Sequence, residues 1–157
     1  MVKIDSKILS VVWRSDGKGV AIGTVSGHVF VMDAWGSVNR TIQRNAPIWA
    51  LTWNIEKDSR GHEDGTLVVG SWDSKIAFYK DVELVKEIGT KGFATSLSSI
   101  NNRGSISPIL YIVSSTEDGV SIMNQSGVVV SKIPHEESDW VWCVQSQIGK
   151  NGIGKIV

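Results

Sequence analysis

The sequence predicts an all-β fold assembled from a repeated unit of four short antiparallel strands. Three observations carry the expectation: apolar runs of five or six residues, glycine-bearing turns between them, and a cycle that restarts at Ile8, Ile48, Phe93 and Val141. Those starts lie 40, 45 and 48 positions apart, within reach of a propeller repeat once loop insertions are allowed. One sheet per cycle, stacked face to face with the next, gives each apolar inner strand two neighbours to bury against. The expected fold is therefore a partial β-propeller of about three and a half four-stranded blades, in a single segment. The blades fall approximately at 8–42, 48–88 and 93–133, with an incomplete one at 141–157. A β-sandwich would explain the number of strands but not the cycle.

The first unit reads Ile8 to Trp13, the turn Ser15-Asp16-Gly17-Lys18-Gly19, Val20 to Thr24, the turn Ser26-Gly27, and His28 to Asp33. The turn Ala34-Trp35-Gly36-Ser37 then leads into an outermost strand, Val38 to Ile42. The second unit repeats the plan with Ile48 to Trp53, Leu67 to Ser71, Lys75 to Lys80 and Leu84 to Ile88. The third has Phe93 to Ser98, Ile109 to Ser114, Gly119 to Asn124 and Val128 to Ile133; the fourth opens at Val141 to Ser146 with room for one more strand. Runs this short cannot readily present the longer 3.6-residue apolar face of a helix. Residues 54–66 and 100–108 read as polar, solvent-facing insertions between first and second strands.

A hydrophobic content of 41% with 20% charged residues suits a folded segment. Sixteen basic residues balance sixteen acidic ones, so no global field draws nucleic acid or an anionic membrane. Partners are then recognised by shape and a few side chains. Cys143 is the only cysteine, which excludes an internal disulfide, and its setting between Trp142 and Val144 favours a packed thiol. Neither a signal segment nor a run of roughly 20 apolar residues is present, so the chain reads as intracellular. A ring of seven such blades needs on the order of 280 residues; this chain is expected not to close one alone, and to self-associate through its open blade surfaces.

Seven tryptophans stand beside three phenylalanines and two tyrosines. Trp13 and Trp53 end equivalent first strands and read as inter-blade core. Trp49 and Trp142 share the second position of such strands, near a central channel, where structural and partner-facing roles are both open. Trp72 at a tight turn and Trp140 before the last inner strand are placed to present aromatic surface from the rim, with Arg44 and His135 on corresponding loops to add directed polar contacts. Loop caps packed on their own blades are the plainer explanation. The candidate protein-binding residues are thus Arg44, Trp49, Trp72, His135, Trp140 and Trp142. No catalytic residue, metal or cofactor is expected: His62-Glu63-Asp64 and His135-Glu136-Glu137 are adjacent polar residues without a convergent ligand set. Ser26-Gly27-His28 and Gly149-Lys150-Asn151-Gly152 lack the spacing of a phosphate loop.

The stretches Pro47-Ile48-Trp49-Ala50-Leu51-Thr52-Trp53-Asn54, Leu67-Val68-Val69-Gly70-Ser71-Trp72-Asp73 with Ile76-Ala77-Phe78-Tyr79, and Asp139-Trp140-Val141-Trp142-Cys143 span most of the chain. In order and spacing they resemble WD-repeat propellers, and more closely the large WD-repeat subunits of intraflagellar transport complex A. The resemblance implies an internal part of the first propellers of a scaffold that supports retrograde transport and import of membrane proteins in cilia. It further implies other complex A subunits and ciliary membrane cargo as partners, and a place in the cytoplasm and the cilium or flagellum, including the basal body. A peptide- or phosphoinositide-recognition propeller outside cilia is the alternative. The usual tryptophan-aspartate pair appears here as Met32-Asp33, Tyr79-Lys80 and Met123-Asn124, and the glycine-histidine pair before a first strand is missing. The family's buried hydrogen-bond network is therefore expected to be absent in its standard form, with stability resting on apolar contact and on turns such as Trp72-Asp73-Ser74-Lys75, where Asp73 can accept backbone N–H bonds.

Overall fold

The computed structural model describes residues 3–57, 63–100, 110–115, 119–124, 126–133, 140–148 and 154–156. Three four-stranded antiparallel sheets follow one another along the chain, each in sequential strand order. The first holds β1 (Ile8–Trp13), β2 (Gly19–Thr24), β3 (His28–Asp33) and β4 (Val38–Gln43). The second holds β5 (Ile48–Lys57), β6 (Glu63–Ser71), β7 (Lys75–Lys80) and β8 (Glu83–Gly89). The third holds β9 (Ala94–Ile100), β10 (Leu110–Ser115), β11 (Gly119–Asn124) and β12 (Val129–Ile133), and a two-stranded sheet of β13 (Ser146–Ile148) and β14 (Gly154–Ile156) follows. The fold is all-β, a partial propeller.

The second blade shows why its strands are apolar on both faces. Leu51 and Trp53 of β5, Leu67 and Val69 of β6, and Ala77 and Tyr79 of β7 join Ala21, Val29 and Ile42 of the first blade in one core. The intervening Ala50, Val68, Ile76 and Phe78 point the other way, onto Ala94, Leu97 and Met123 of the third. Successive side chains of a strand alternate faces, so a blade covered on both sides needs an unbroken apolar run. Glycine at one repeated position lets the blades approach. A Cβ on Gly23 would lie 2.6 Å from Ile48 Cγ2, and one on Gly70 would lie 2.7 Å from Ala94 Cβ.

Hydroxyls tie the inner strands together. Ser10 Oγ donates to the Ile48 carbonyl at 3.2 Å, and Ser99 Oγ donates to the Trp53 carbonyl at 2.8 Å. At the next junction Thr95 Oγ1 donates to the Val141 carbonyl (2.6 Å), while Ser96 Oγ and Ser98 Oγ accept the N–H groups of Val144 (3.2 Å) and Ser146 (3.0 Å).

Four expectations need correction. The polar stretch after Trp53 is not a simple loop: β5 and β6 continue pairing as far as Lys57 with Glu63, and Asn54 and Thr66 at the base of that extension are buried. The fourth inner strand is offset, since residues 140–145 hold no regular strand and β13 begins at Ser146; side-chain hydroxyls of β9 take up the backbone groups there. Trp53 is core, but Trp13 is 57% exposed, because no described residue covers the outer face of the first blade. Cys143 is exposed; Val144 is buried and Val141 half-buried, which leaves Trp142 and Cys143 outward. The insertion at residues 101–108 lies outside the described residues.

Candidate functional site: an aromatic row over a buried arginine

Five aromatic rings form one continuous row across the edge where the chain enters β5 and β9 and where the β6–β7 turn lies. Trp49 is the second residue of β5, Trp72 follows β6, Phe93 precedes β9, and Trp140 and Trp142 precede β13. Trp49 stacks on Trp72 at 5.2 Å, Trp72 meets Phe93 tilted at 5.2 Å, and Phe93 meets Trp140 edge-on at 6.0 Å. Trp140 stacks on Trp142 at 5.0 Å. Such pairs contribute about 0.5–1.5 kcal/mol each beyond area burial, so the row holds its own shape before any partner arrives. Yet Trp72, Trp140 and Trp142 remain roughly half exposed (47%, 53% and 58%).

Beneath Trp72 lies Arg44, in the loop entering β5 and only 8% exposed. Its Nε donates to Ser71 Oγ (3.1 Å), Nη1 to the Tyr79 hydroxyl (3.1 Å), and Nη2 to Asp73 (2.9 Å) and Glu87 (2.8 Å). Ser71 Oγ also donates to Asp73, and Lys75 Nζ pairs with Glu87 at 2.7 Å. The Trp72 N–H donates to the Pro47 carbonyl at 3.1 Å. The turn carrying Trp72 is therefore fixed from both sides. Burial opposes the Arg44 cation, but the hydrogen bonds it donates to Tyr79 and Glu87 outweigh it and push its pKa up. The Lys75 and Arg44 hydrogen bonds hold Glu87 below the ordinary carboxylate value, and Glu87 raises Lys75.

Of the residues singled out from sequence, Trp49, Trp72, Trp140 and Trp142 come together, and Phe93 joins them. Phe93 was read as the first residue of a strand; it stands one residue before β9, level with the rim. Arg44 reaches inward rather than outward, with its donors engaged inside the chain. His135 lies outside the described residues, as does His62. A buried network does exist in this blade, built on Arg44 of the entry loop with Ser71, Tyr79, Asp73 and Glu87 around it. Asp73 receives side-chain donors there, and backbone N–H capping by an aspartate is found at a different turn, β3–β4 of the first blade, where Asp33 accepts the N–H groups of Trp35 and Ser37 at 2.9 Å.

Among the described residues, no group of three or more His, Cys, Asp or Glu could hold a metal ion, and no helix is long and apolar enough to cross a membrane. No family model matches the chain. It is 32% identical over 145 residues to the intraflagellar transport protein 122 homolog of Xenopus tropicalis and 28% identical over 147 residues to that of Danio rerio. Each match takes in 89% of this chain and 12% of the relative, so the chain spans only a small part of their length. Tubby-related protein 4 of Homo sapiens is 25% identical over 115 residues, 68% of this chain and 8% of that one. Among solved structures, BBS1N in complex with ARL6DN superposes with a TM-score of 0.72 at 14% identity, over 98% of this chain and 48% of that one. At that identity the likeness bears on the fold. The chain is thus a partial β-propeller, distantly related to propellers of the intraflagellar transport type and sharing the BBS1 propeller fold.

Proposed function

We propose that the chain is a protein-binding scaffold segment, and that the row Trp49–Trp72–Phe93–Trp140–Trp142 is where a partner docks. The observation that carries this reading is the row itself. Large rings held rigid before binding lose little conformational entropy on contact, and tryptophan dominates binding hot spots. Arg44 is a positioning residue under this reading, setting the turn on which Trp72 stands. The relatedness to intraflagellar transport proteins supports a role in an assembly of the complex A type, in retrograde ciliary transport and import of membrane proteins, with neighbouring subunits as partners and the cytoplasm and cilium as the location. His135, on the loop before Trp140, remains part of the proposal. The chain carries out no chemistry of its own; it is a scaffold.

The phosphoinositide alternative finds less support at this rim. Anionic head groups need cationic donors, and Arg44 and Lys75 are both held by carboxylates. The test is titration of the full-length protein against purified neighbouring subunits of the transport complex. Trp72→Ala and Trp140→Ala are each expected to weaken binding by about 2 kcal/mol, while Trp35→Ala, 90% exposed on a different turn, leaves it unchanged. Undiminished binding by the Trp72/Trp140 double variant would sink the proposal.

A further inference from the structure

A second site lies at the opposite end of the junction between the first two blades, apart from the aromatic row. A cavity of about 210 Å³ opens there, with Ile42, Leu67 and Val82 among its apolar lining and Arg14, Arg40 and Trp53 supplying donors. We propose that this cavity binds a carboxylate carried on a short aliphatic stem.

Four observations converge on it. Trp53 is buried, yet its Nε1–H finds no hydrogen-bond partner among the described residues, and an orphaned buried donor costs free energy that an acceptor would recover. Arg14 lies 5.0 Å over the Trp53 ring and is pinned from behind, its Nε and Nη2 both on Asp16; Nη1 has no hydrogen-bond partner among the described residues. Gly65 preserves room for that nitrogen, since a Cβ there would stand 3.1 Å from it. Finally, the two-residue β7–β8 turn at the cavity wall puts Asp81 (φ 46°) and Val82 (φ 67°) in the left-handed region. A β-branched residue is an outlier there, and such strain collects at ligand sites.

The lining selects the ligand. The volume matches roughly seven waters, enough for one aliphatic side chain and a small head group. Among the described lining residues donors outnumber acceptors: Arg14, Arg40 and Trp53 carry N–H groups and Asp81 is the one carboxylate, with Arg40 Nη1 donating to the Asn39 carbonyl and its other nitrogens left for a ligand. A planar carboxylate can accept from an arginine fork and a third donor together. Because Asp16 balances Arg14 and Asp81 shares the cavity lining with Arg40, selectivity rests on direct hydrogen bonds more than on net charge.

The carboxylate could belong to the C-terminal residue of a peptide or to a free small acid, and the experiment separates them. The full-length protein, labelled with nitrogen-15, is titrated with acetyl-Gly-Leu, with its C-terminal amide, and with isovalerate, following the Trp53 indole resonance identified through Trp53→Phe. Acetyl-Gly-Leu is expected to shift that resonance to saturation and to bind at least about tenfold more tightly than the amide. Tighter binding of the peptide than of isovalerate assigns the site to chain ends, and equal binding to small acids. Arg40→Gln, at an exposed position that should not disturb folding, should weaken the acids severalfold and leave the amide alone. An unmoved indole resonance up to on the order of 10 mM, or equal affinity for acid and amide, overturns the proposal.

Discussion

Arg44 joins its own loop to three strands and a turn through one guanidinium, and its removal leaves Asp73 and Glu87 facing each other without their shared cation. Arg44→Met is therefore expected to destabilise the chain by about 2 kcal/mol, below the full cost of breaking a buried pair because both carboxylates are more than a quarter exposed. Arg44→Lys should recover only part of that, since an ammonium cannot span four partners in a fixed fork. Urea midpoints of the three proteins check both statements. Trp53→Ala should cost about 3–5 kcal/mol as a core truncation, whereas Trp13→Ala should cost far less. Sequence reading singled out four of the five rings in the row, Trp49 and Trp142 by equivalent strand positions, Trp72 by its turn and Trp140 by its place before a strand, because corresponding places of a repeat fall at the same height. It misread Arg44, since charge in a loop between strands looks solvent-directed until the turn of the next blade is seen to close over it. Cys143 was misread because the segment from 140 to 145 departs from strand alternation.

Among the elements, the second strands carry the closest approach between blades. Gly70→Ala would press a methyl group onto the Ala94 side chain, and overpacking of this kind costs about 1–3 kcal/mol. Gly89→Ala, with nothing within 4 Å of its Cβ position, is the matched control and should be neutral or slightly stabilising by thermal denaturation. The β7–β8 pair also sets a pH limit. Glu87, held below its ordinary 4.5, contributes stability that is present above that value and lost as the pH falls through its folded pKa. Asp16, lowered first by its hydrogen bond from Arg14, acts in the same direction from 3.8 downward. Lys75, raised by Glu87, contributes below 10.5 and loses that contribution as the pH rises through its folded value. Chemical denaturation across this range should show an acid limb that Glu87→Gln flattens. The lengths of β5 and β6 escaped sequence reasoning because the stretch beyond Trp53 is polar, and backbone pairing in an outlying hairpin requires no apolar side chain.

At the scale of the whole molecule, the restart of the cycle was legible because each blade is a copy of one small plan, and copies leave a period in the sequence. What the period could not convey is which faces find a neighbour. The first blade presents Ile8, Val11 and Trp13 at 50–57% exposure, an apolar face of the kind that a neighbouring blade covers. In isolation the 157-residue chain is expected to self-associate, with sedimentation coefficients that rise with concentration. Trp13→Lys or extension by complete neighbouring blades should suppress the rise; concentration-independent monomeric sedimentation of the unaltered chain would contradict it. The aromatic row crosses two blade junctions, so its rings share more than contact. Indoles stacked at 5.0–5.2 Å couple their electronic transitions, and coupled chromophores produce paired bands of opposite sign in circular dichroism. Trp49 and Trp72 stack within the second blade and Trp140 and Trp142 within the segment ahead of β13, so loss of a couplet would report a local rearrangement of that part of the rim, which makes the row a built-in optical gauge of rim integrity that needs no added label.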